Sequence, residues 1–304
     1  MWNDLGVFRV ARYIIVLLAA TTLPGCLPGD SRPEPGSLYV TAAASPATTE
    51  GLTTPDGWTV SFERLLAGIG SIQIEGEGCN GYSEPRYTRL FDFAEPMPSP
   101  QKVAQAYGLG TCELGFELSP PQVDALLGQG VTAADLELMR VELKDAWIRD
   151  PEQTSVRVIG TATRGSIVKQ FEWVFRMEYD IERCAEGKDG QPGSTLVLEG
   201  GAEVSRTIVI DAAELFRESA DPEAPLRFDA LAESDADADG VITLEELDKV
   251  AAPVVPDMGP SEGGSAPGTE SPTLADLLYD TLVPRMARPA GSGLCEFELD
   301  NRPW

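Results

Sequence analysis

The sequence predicts a mainly β protein: a β-sandwich that carries a small helical insert and one further helix near its C-terminus. Three observations lead to this prediction. Apolar and polar residues alternate along many short segments, which is the pattern of strands with one buried face. Glycine and proline, 30 and 24 in a chain of 304 residues, separate these segments. Helical periodicity is weaker and shorter, so strands are expected to supply most of the core.

The first 25 residues have the composition of an export signal. Arg9 and Arg12 precede an apolar stretch at 13–22, which is too short for a spanning helix of about 20 apolar residues. Residues 1–25 are therefore predicted to be a signal peptide. The sequence Leu23-Pro24-Gly25-Cys26 follows and resembles the lipobox of bacterial lipoproteins.

That resemblance implies that Cys26 carries the lipid and that the lipid anchors the protein to a membrane. Leu27 is not an acidic retention signal, so the implied destination is the outer membrane of a bacterial envelope, on its periplasmic or surface face. The alternative is an ordinary secreted protein with a chance cysteine. Residues 26–57 are rich in Pro, Gly, Ser, Thr and Ala and are predicted to be the anchor and a flexible tether. Within them, Leu38 to Thr41 is a candidate first strand.

Residues 58–219 are predicted to form the sandwich, completed by a C-terminal strand at 294–300. Segments 156–163 and 167–176 flank a Gly-containing turn and are expected to form a β-hairpin. By the same reasoning, segments 195–198 and 207–210 are expected to form a second hairpin around two glycines. Short helices are predicted at 132–140 and 211–218.

Three aromatic residues, Phe171, Trp173 and Phe175, occupy successive positions on one face of a predicted strand. A sugar-stacking platform would have this pattern, but three large inward residues are more typical of a sandwich core. Lys169 comes shortly after the hairpin turn and is expected to be a solvated surface residue.

Four cysteines follow Cys26 in the sequence. In an exported domain an even number of cysteines predicts disulfides, and two bonds among four residues allow three pairings. A Cys₄ metal site is the alternative, but no two of these cysteines have the C-x-x-C spacing that prepares one. The candidates are Cys79, Cys112, Cys184 and Cys295.

The charge balance excludes several functions. The chain has 49 acidic and 23 basic residues, so its formal charge of -26 repels nucleic acid. The same charge favours cations, and calcium is the hard cation that carboxylates bind. The chain has no histidine, which excludes Ser-His-Asp and Cys-His nucleophile pairs, His-ligated zinc and a histidine general base.

One segment, residues 235–246, has the residue types of a calcium loop at every required position. Its alternating aspartates converge on one point, Gly240 permits a sharp turn, and a glutamate ends the segment. The segment resembles the twelve-residue EF-hand loop. That resemblance implies Ca²⁺ as the bound ion. The implied ligands are Asp235, Asp237, Asp239, the carbonyl of Val241, Thr243 and Glu246.

The flanks of this loop are consistent with the resemblance. Apolar residues Phe228 and Leu231 precede it, and Leu244, Leu247 and Val250 follow at helical spacing. An EF-hand is therefore predicted at 220–252, and the alternative is a low-complexity acidic turn. Residues 253–272 are predicted to be a linker. A helix is predicted at 273–288, where it would pack against the exiting helix in place of the partner hand that the chain lacks.

These observations predict a non-enzymatic, calcium-binding lipoprotein of the cell envelope. Calcium outside the cytoplasm does not pulse, and extracellular modules bind it with a Kd of about 10⁻⁴–10⁻³ M, so a structural ion is favoured over a switch. A surface binding or adhesion role toward a protein or polysaccharide is consistent with that location. The alternative is an envelope enzyme, a carboxylate-based hydrolase, with a structural calcium site.

Overall fold

The computed structural model describes residues 33–83, 85–140, 154–253 and 271–300. The predicted signal peptide, the lipobox and Cys26 lie outside the described residues, as does most of the predicted linker. The described residues from Pro35 onward form one unit.

The described part of the chain contains fifteen strands joined in one hydrogen-bonded network. In chain order they are β1 Gly36–Ala44, β2 Leu52–Thr53, β3 Thr59–Glu75, β4 Cys79–Gly81, β5 Arg89–Asp92, β6 Gln101–Leu118, β7 Leu126–Leu127, β8 Val156–Arg164, β9 Ile167–Phe175, β10 Glu178–Glu182, β11 Thr195–Leu198, β12 Glu203–Ile210, β13 Val241–Ile242, β14 Ala287–Pro289 and β15 Glu296–Asp300.

The helices are short. They are α1 Pro46–Glu50, α2 Ala133–Arg140, α3 Asp229–Glu233, α4 Leu244–Leu247, α5 Leu274–Leu277 and α6 Val283–Arg285. Two 3₁₀ turns span Lys188–Gly190 and Ala212–Phe216, and a π-helical turn, Leu278–Leu282, joins α5 to α6. The fold is therefore mainly β with few helices, as the sequence predicts.

The two longest strands, β3 and β6, organise the sheet. The main path runs β13-β9-β8-β3-β6-β1-β12-β14. Strand β3 pairs with β8 through its first half and with β6 through its second, while β6 pairs first with β1 and then with β3, β10 and β11. Bulges interrupt these pairings and let the long strands bend. The two halves of the sheet share one core, which is consistent with a β-sandwich.

Buried aromatic residues fill the centre of that core. Phe171, Trp173 and Phe175 of β9 are at most 1% exposed, which confirms their predicted place in the core. The rings of Phe171 and Trp173 stack with centroids 4.6 Å apart. Phe216, from the second 3₁₀ turn, packs against both rings. The predicted sugar-stacking alternative is wrong, because these faces are closed to solvent.

The first predicted hairpin is confirmed and the second is wrong. Strands β8 and β9 pair along their whole length around Gly165, which has a φ of 62°. Strands β11 and β12 are neighbours in sequence, but β11 pairs with β6 and β12 pairs with β1 and β14. A turn of glycines fixes where the chain reverses, whereas the partners of each strand depend on distant residues.

The predicted flexible tether is wrong from residue 36 onward. The candidate strand at Leu38 to Thr41 is confirmed and extends to Gly36–Ala44, where it lies between β6 and β12. Leu38, Val40 and Ala42 are fully buried, so the small and apolar residues that resemble a linker are core residues here. The sheet thus begins about twenty residues before the boundary predicted at 58.

The C-terminal segment also differs from its prediction. The helix predicted at 273–288 is divided by the π-helical turn and ends at Arg285. Ala287–Pro289 then pairs with β12, so the chain must leave the helix to reach the sheet.

The helix predicted at 211–218 is the shorter 3₁₀ turn Ala212–Phe216, whereas the helix predicted at 132–140 corresponds to α2. Strand β15 lies where the C-terminal strand is predicted and pairs with β10.

Two disulfides join the four described cysteines, as predicted. Cys79 bonds to Cys112, which links β4 to β6, and Cys184 bonds to Cys295, which links the end of β10 to the start of β15. Such bonds persist in oxidising compartments, so the protein belongs outside the cytoplasm. Among the described residues, no helix combines the length and apolar character needed to cross a bilayer.

A row of carboxylates crosses the outer face of the sheet. Asp180 of β10 stands in register between Glu117 of β6 and Glu298 of β15. Its Oδ1 atom is buried and has no hydrogen-bond partner. Burial, followed by the charges of Glu117, Glu182 and Glu298, raises the pKa of Asp180 to about 6. The ionised carboxylate is therefore unfavourable in the folded protein.

We expect Asp180→Asn to stabilise the protein at pH 7 and to have little effect at pH 4. Because the folded pKa is raised, the stability that Asp180 contributes is present below about pH 4 and is lost as the pH rises through about 6. The gain at pH 7 should be on the order of 1 kcal/mol after solvent screening. Thermal unfolding at both pH values measures it, with Glu199→Gln, at an exposed carboxylate away from this row, as the control. An equal gain at both pH values would contradict the assignment.

Candidate functional site

The predicted calcium loop connects two short helices. Helix α3 ends at Glu233, and α4 begins at Leu244. Between them the backbone turns sharply at Ala238 and Gly240, whose φ values are 60° and 88°. Gly240 therefore occupies a left-handed conformation that most side chains avoid, which is the reason for a glycine at this position.

Three carboxylates meet inside this turn. Asp235, Asp237 and Asp239 each offer an oxygen, and these oxygens lie within 4.8 Å of one another. Backbone N–H groups hold the carboxylates in place: Gly240 N donates to Asp235 Oδ2 at 3.0 Å, and Val241 N donates to Asp239 Oδ1 at 2.7 Å. The alternating spacing that the sequence shows therefore becomes a cluster of hard oxygen atoms, which is the chemistry that Ca²⁺ requires.

Asp235 is the most constrained member of the cluster. Its side chain is fully buried, and Lys169 Nζ pairs with its Oδ2 atom. That hydrogen bond outweighs burial and holds the pKa of Asp235 below its usual value. The other oxygen, Oδ1, is buried without any hydrogen-bond partner. A buried carboxylate oxygen without a donor is costly, and a cation would satisfy it.

The two C-terminal ligand candidates form a capping box on α4. Glu246 N donates to Thr243 Oγ1 at 3.2 Å, and Thr243 N donates to Glu246 Oε2 at 2.9 Å. The second oxygen of Glu246 accepts from Ala236 N at 3.3 Å, so this carboxylate reaches back to the start of the loop. Glu246 thus contacts the start of the loop without belonging to the group of carboxylates within 4.8 Å.

The loop is attached to the sandwich by its own short strand. Val241 and Ile242 form β13, which pairs in parallel with Gln170 and Phe171 of β9. Gln170 N donates to Gly240 O at 2.8 Å. Trp173 Nε1 donates to the carbonyl of Ile242 at 3.1 Å, and the Ile242 side chain is fully buried. Strand β9 therefore anchors the loop to the sheet through both backbone and side-chain hydrogen bonds.

The entering helix is held by residues far away in sequence. Asp56 accepts hydrogen bonds from Phe228 N at 2.7 Å and Asp229 N at 2.8 Å. Burial opposes the charge on Asp56, but these bonds and one from Thr54 hold its pKa below the usual value. Trp58 Nε1 donates to Asp229 Oδ1 at 3.0 Å. The segment before β3 thus fixes the start of α3.

The exiting side of the loop packs as the sequence predicts, over a shorter helix. Leu247 is fully buried, and Val250, three residues beyond the end of α4, packs against the core. Helix α5 lies beside this segment, with Leu274 N donating to Val250 O at 2.8 Å. Phe228 and Leu231, on the entering side, are also buried.

Sequence reasoning missed three residues of this site. Lys169 is expected at the solvated surface, yet it pairs with Asp235. Asp56 and Trp173 give no local signal, because each acts on the loop through a contact with a residue at least 69 positions away in the chain. A motif of twelve residues carries information on its own side chains and none on the sheet beneath it.

Comparisons with known proteins give little further information. No protein family matches the chain, and no curated protein is significantly similar to it. Among solved structures the chain is similar to MbnP from Methylosinus trichosporium, at 12% identity, over 88% of this chain and 99% of that chain, with a TM-score of 0.28. A likeness this distant carries no inference about the site.

Proposed function

We propose that this protein is a calcium-binding, non-enzymatic lipoprotein of the bacterial cell envelope in which the ion has a structural role. The observation that carries the proposal is the aspartate cluster of the loop, in which the buried Asp235 Oδ1 has no donor. The proposed ligands are Asp235, Asp237, Asp239, the carbonyl of Val241, Thr243 and Glu246.

A structural role is supported by the way the loop contacts the sandwich. The loop supplies β13 to the sheet, and its flanks supply Phe228 and Leu247 to the core. An ion that orders the loop would therefore also order a part of the sheet. At a calcium concentration a hundred times the Kd, binding stabilises the folded state by about 2.7 kcal/mol.

The envelope location rests on two independent features. The disulfides indicate an oxidising compartment, and the proposed lipid on Cys26 would hold the domain at a membrane, with the outer membrane as the destination. A calcium-stabilised β-domain at that location is suited to binding or adhesion, and a protein or a polysaccharide of the cell surface is the proposed partner.

The alternative, a carboxylate-based hydrolase, requires two acids in unlike environments within one cleft. One described cleft, between α3 and α5, is lined by leucines and by three acids, two of which are ion-paired. Glu218 pairs with Arg227 at 3.1 Å, and Asp229 pairs with Arg164. These pairs favour the binding protein over the enzyme.

Calorimetric titration of Ca²⁺ into the chelator-treated full chain tests the proposal. We expect one saturable site and a rise in the melting temperature. Glu246→Gln should raise the Kd at least about tenfold, because calcium loops close with both oxygens of this glutamate. The matched control is Glu245→Gln, which removes the same charge from the neighbouring exposed residue and should change the Kd less than about twofold.

Two results would overturn the proposal. One is the absence of both heat and a shift in melting temperature, which would make residues 235–246 an acidic turn. The other is an equal effect of the two substitutions, which would mean that calcium is attracted by the overall charge of -26.

A further inference from the structure

The pairing of Lys169 with Asp235 places a positive charge at the proposed calcium site. Lys169 is on β9, and its side chain is 16% exposed while that of Asp235 is fully buried. The neighbouring residue, Gln170, holds the loop backbone through Gly240, so Lys169 stays near the loop for as long as β9 and β13 are paired.

The two oxygens of Asp235 have different partners. Oδ2 accepts from Gly240 N and from Lys169, whereas Oδ1 is buried without a donor. An incoming cation would therefore bind through Oδ1, close to the ammonium group on the other oxygen. The cation and the ammonium group would share one carboxylate, and two like charges that close repel strongly in a partly buried site. The ammonium group also offsets the repulsion among the three aspartates when no ion is bound.

We propose that Lys169 is a resident cation that lowers the calcium affinity of this loop and stabilises the loop without the ion. This inference rests on the proposed function and adds its regulation: the site is matched to the high calcium concentrations outside the cytoplasm. Calcium binding must work against the charge of Lys169, so the site exchanges its ion instead of retaining it. The same residue keeps the aspartates together when calcium is scarce.

Calorimetric titration of Ca²⁺ into Lys169→Met tests this inference in the full chain. We expect the Kd to fall about tenfold, which is the size of effect that loss of one nearby like charge produces. Lys169→Arg keeps the charge and should leave the Kd within about threefold. Lys188→Met is the matched control, since Lys188 is 87% exposed and pairs with Glu223 at 3.3 Å. It removes the same charge from the chain and should change the Kd less than about twofold.

Thermal unfolding in the presence of chelator tests the inference independently of calcium affinity. Without Lys169 the clustered carboxylates lose their counter-charge, so Lys169→Met should have a lower melting temperature than the wild type, and Lys188→Met should not. Lys169→Gln is the second variant if the methionine variant does not fold.

The outcomes separate this inference from the proposed function. If the wild type binds calcium and Lys169→Met binds it equally or more weakly, Lys169 only positions Asp235 and the inference is overturned, while the function stands. If neither protein binds calcium, both are overturned. If only Lys169→Met binds calcium, the effect of the Lys169 charge on affinity is supported, but the proposed function is overturned because the wild type binds no ion.

Discussion

Removal of the Cys184–Cys295 disulfide, by substituting both residues with alanine, is expected to lower the free energy of unfolding by about 4–5 kcal/mol. The bond closes a loop of 111 residues, and loop-closure entropy alone gives nearly 5 kcal/mol for that length. The bond also joins the end of β10 to the start of β15, whose hydrogen-bonded neighbour in the described structure is β10. Urea unfolding of the double variant measures the loss.

The second disulfide provides the matched control. Cys79–Cys112 closes a loop of 33 residues, for which the same relation gives roughly 3.7 kcal/mol. The Cys79→Ala/Cys112→Ala variant should therefore be the more stable of the two. The opposite order would show that local packing around Cys112, which is fully buried, contributes more than loop closure.

Substitution of Trp173 by alanine is expected to have an effect of similar size, about 3–5 kcal/mol, and to weaken calcium binding as well. The indole is fully buried between Phe171 and Phe216, so its removal leaves a large cavity. It also removes the donor to the carbonyl of Ile242, inside the proposed calcium loop. Urea unfolding with and without calcium separates the two effects.

Trp173→Phe serves as the control, because it keeps an aromatic ring and loses the N–H donor. We expect a loss of about 1–3 kcal/mol from the unsatisfied Ile242 carbonyl and a smaller calcium-dependent gain in stability. If this variant matches the wild type in both respects, the hydrogen bond does not link the core to the loop, and the effect of Trp173→Ala is one of packing alone.

The loop was predictable because its information is local. Its aspartates, Gly240 and Glu246 act within twelve residues, so their spacing determines which side chains meet. The pairing of β13 with β9 was not predictable, since Val241 and Gln170 are 71 positions apart and parallel pairing leaves no turn signal between them. Lys169 shares the face of Phe171 and Trp173 by alternation. Its partner Asp235 is 66 positions away, however, so a lysine shortly after a hairpin turn gives no local signal of that pairing.

The errors in the fold have a common physical cause. The hairpin of β8 and β9 follows from alternation and a glycine turn, both local features. The tether prediction failed at Gly36–Ala44 because small residues such as Ala42 enter a core only when neighbouring strands cover them. The composition of a segment is compatible with more than one environment. The burial of β1 depends on strands β6 and β12, which come much later in the chain.

The position of β1 has a consequence for how the molecule assembles. Its parallel pairing partner, β12, begins at Glu203, opposite Ser37, so more than half of the chain must be present before this pair can form. Contacts of such long range make folding slow, because the entropy of closing the loop is lost before the contact is gained. The first strand of the described residues can therefore pair with β6 early, but its other edge stays open until residues 203–210 have been made.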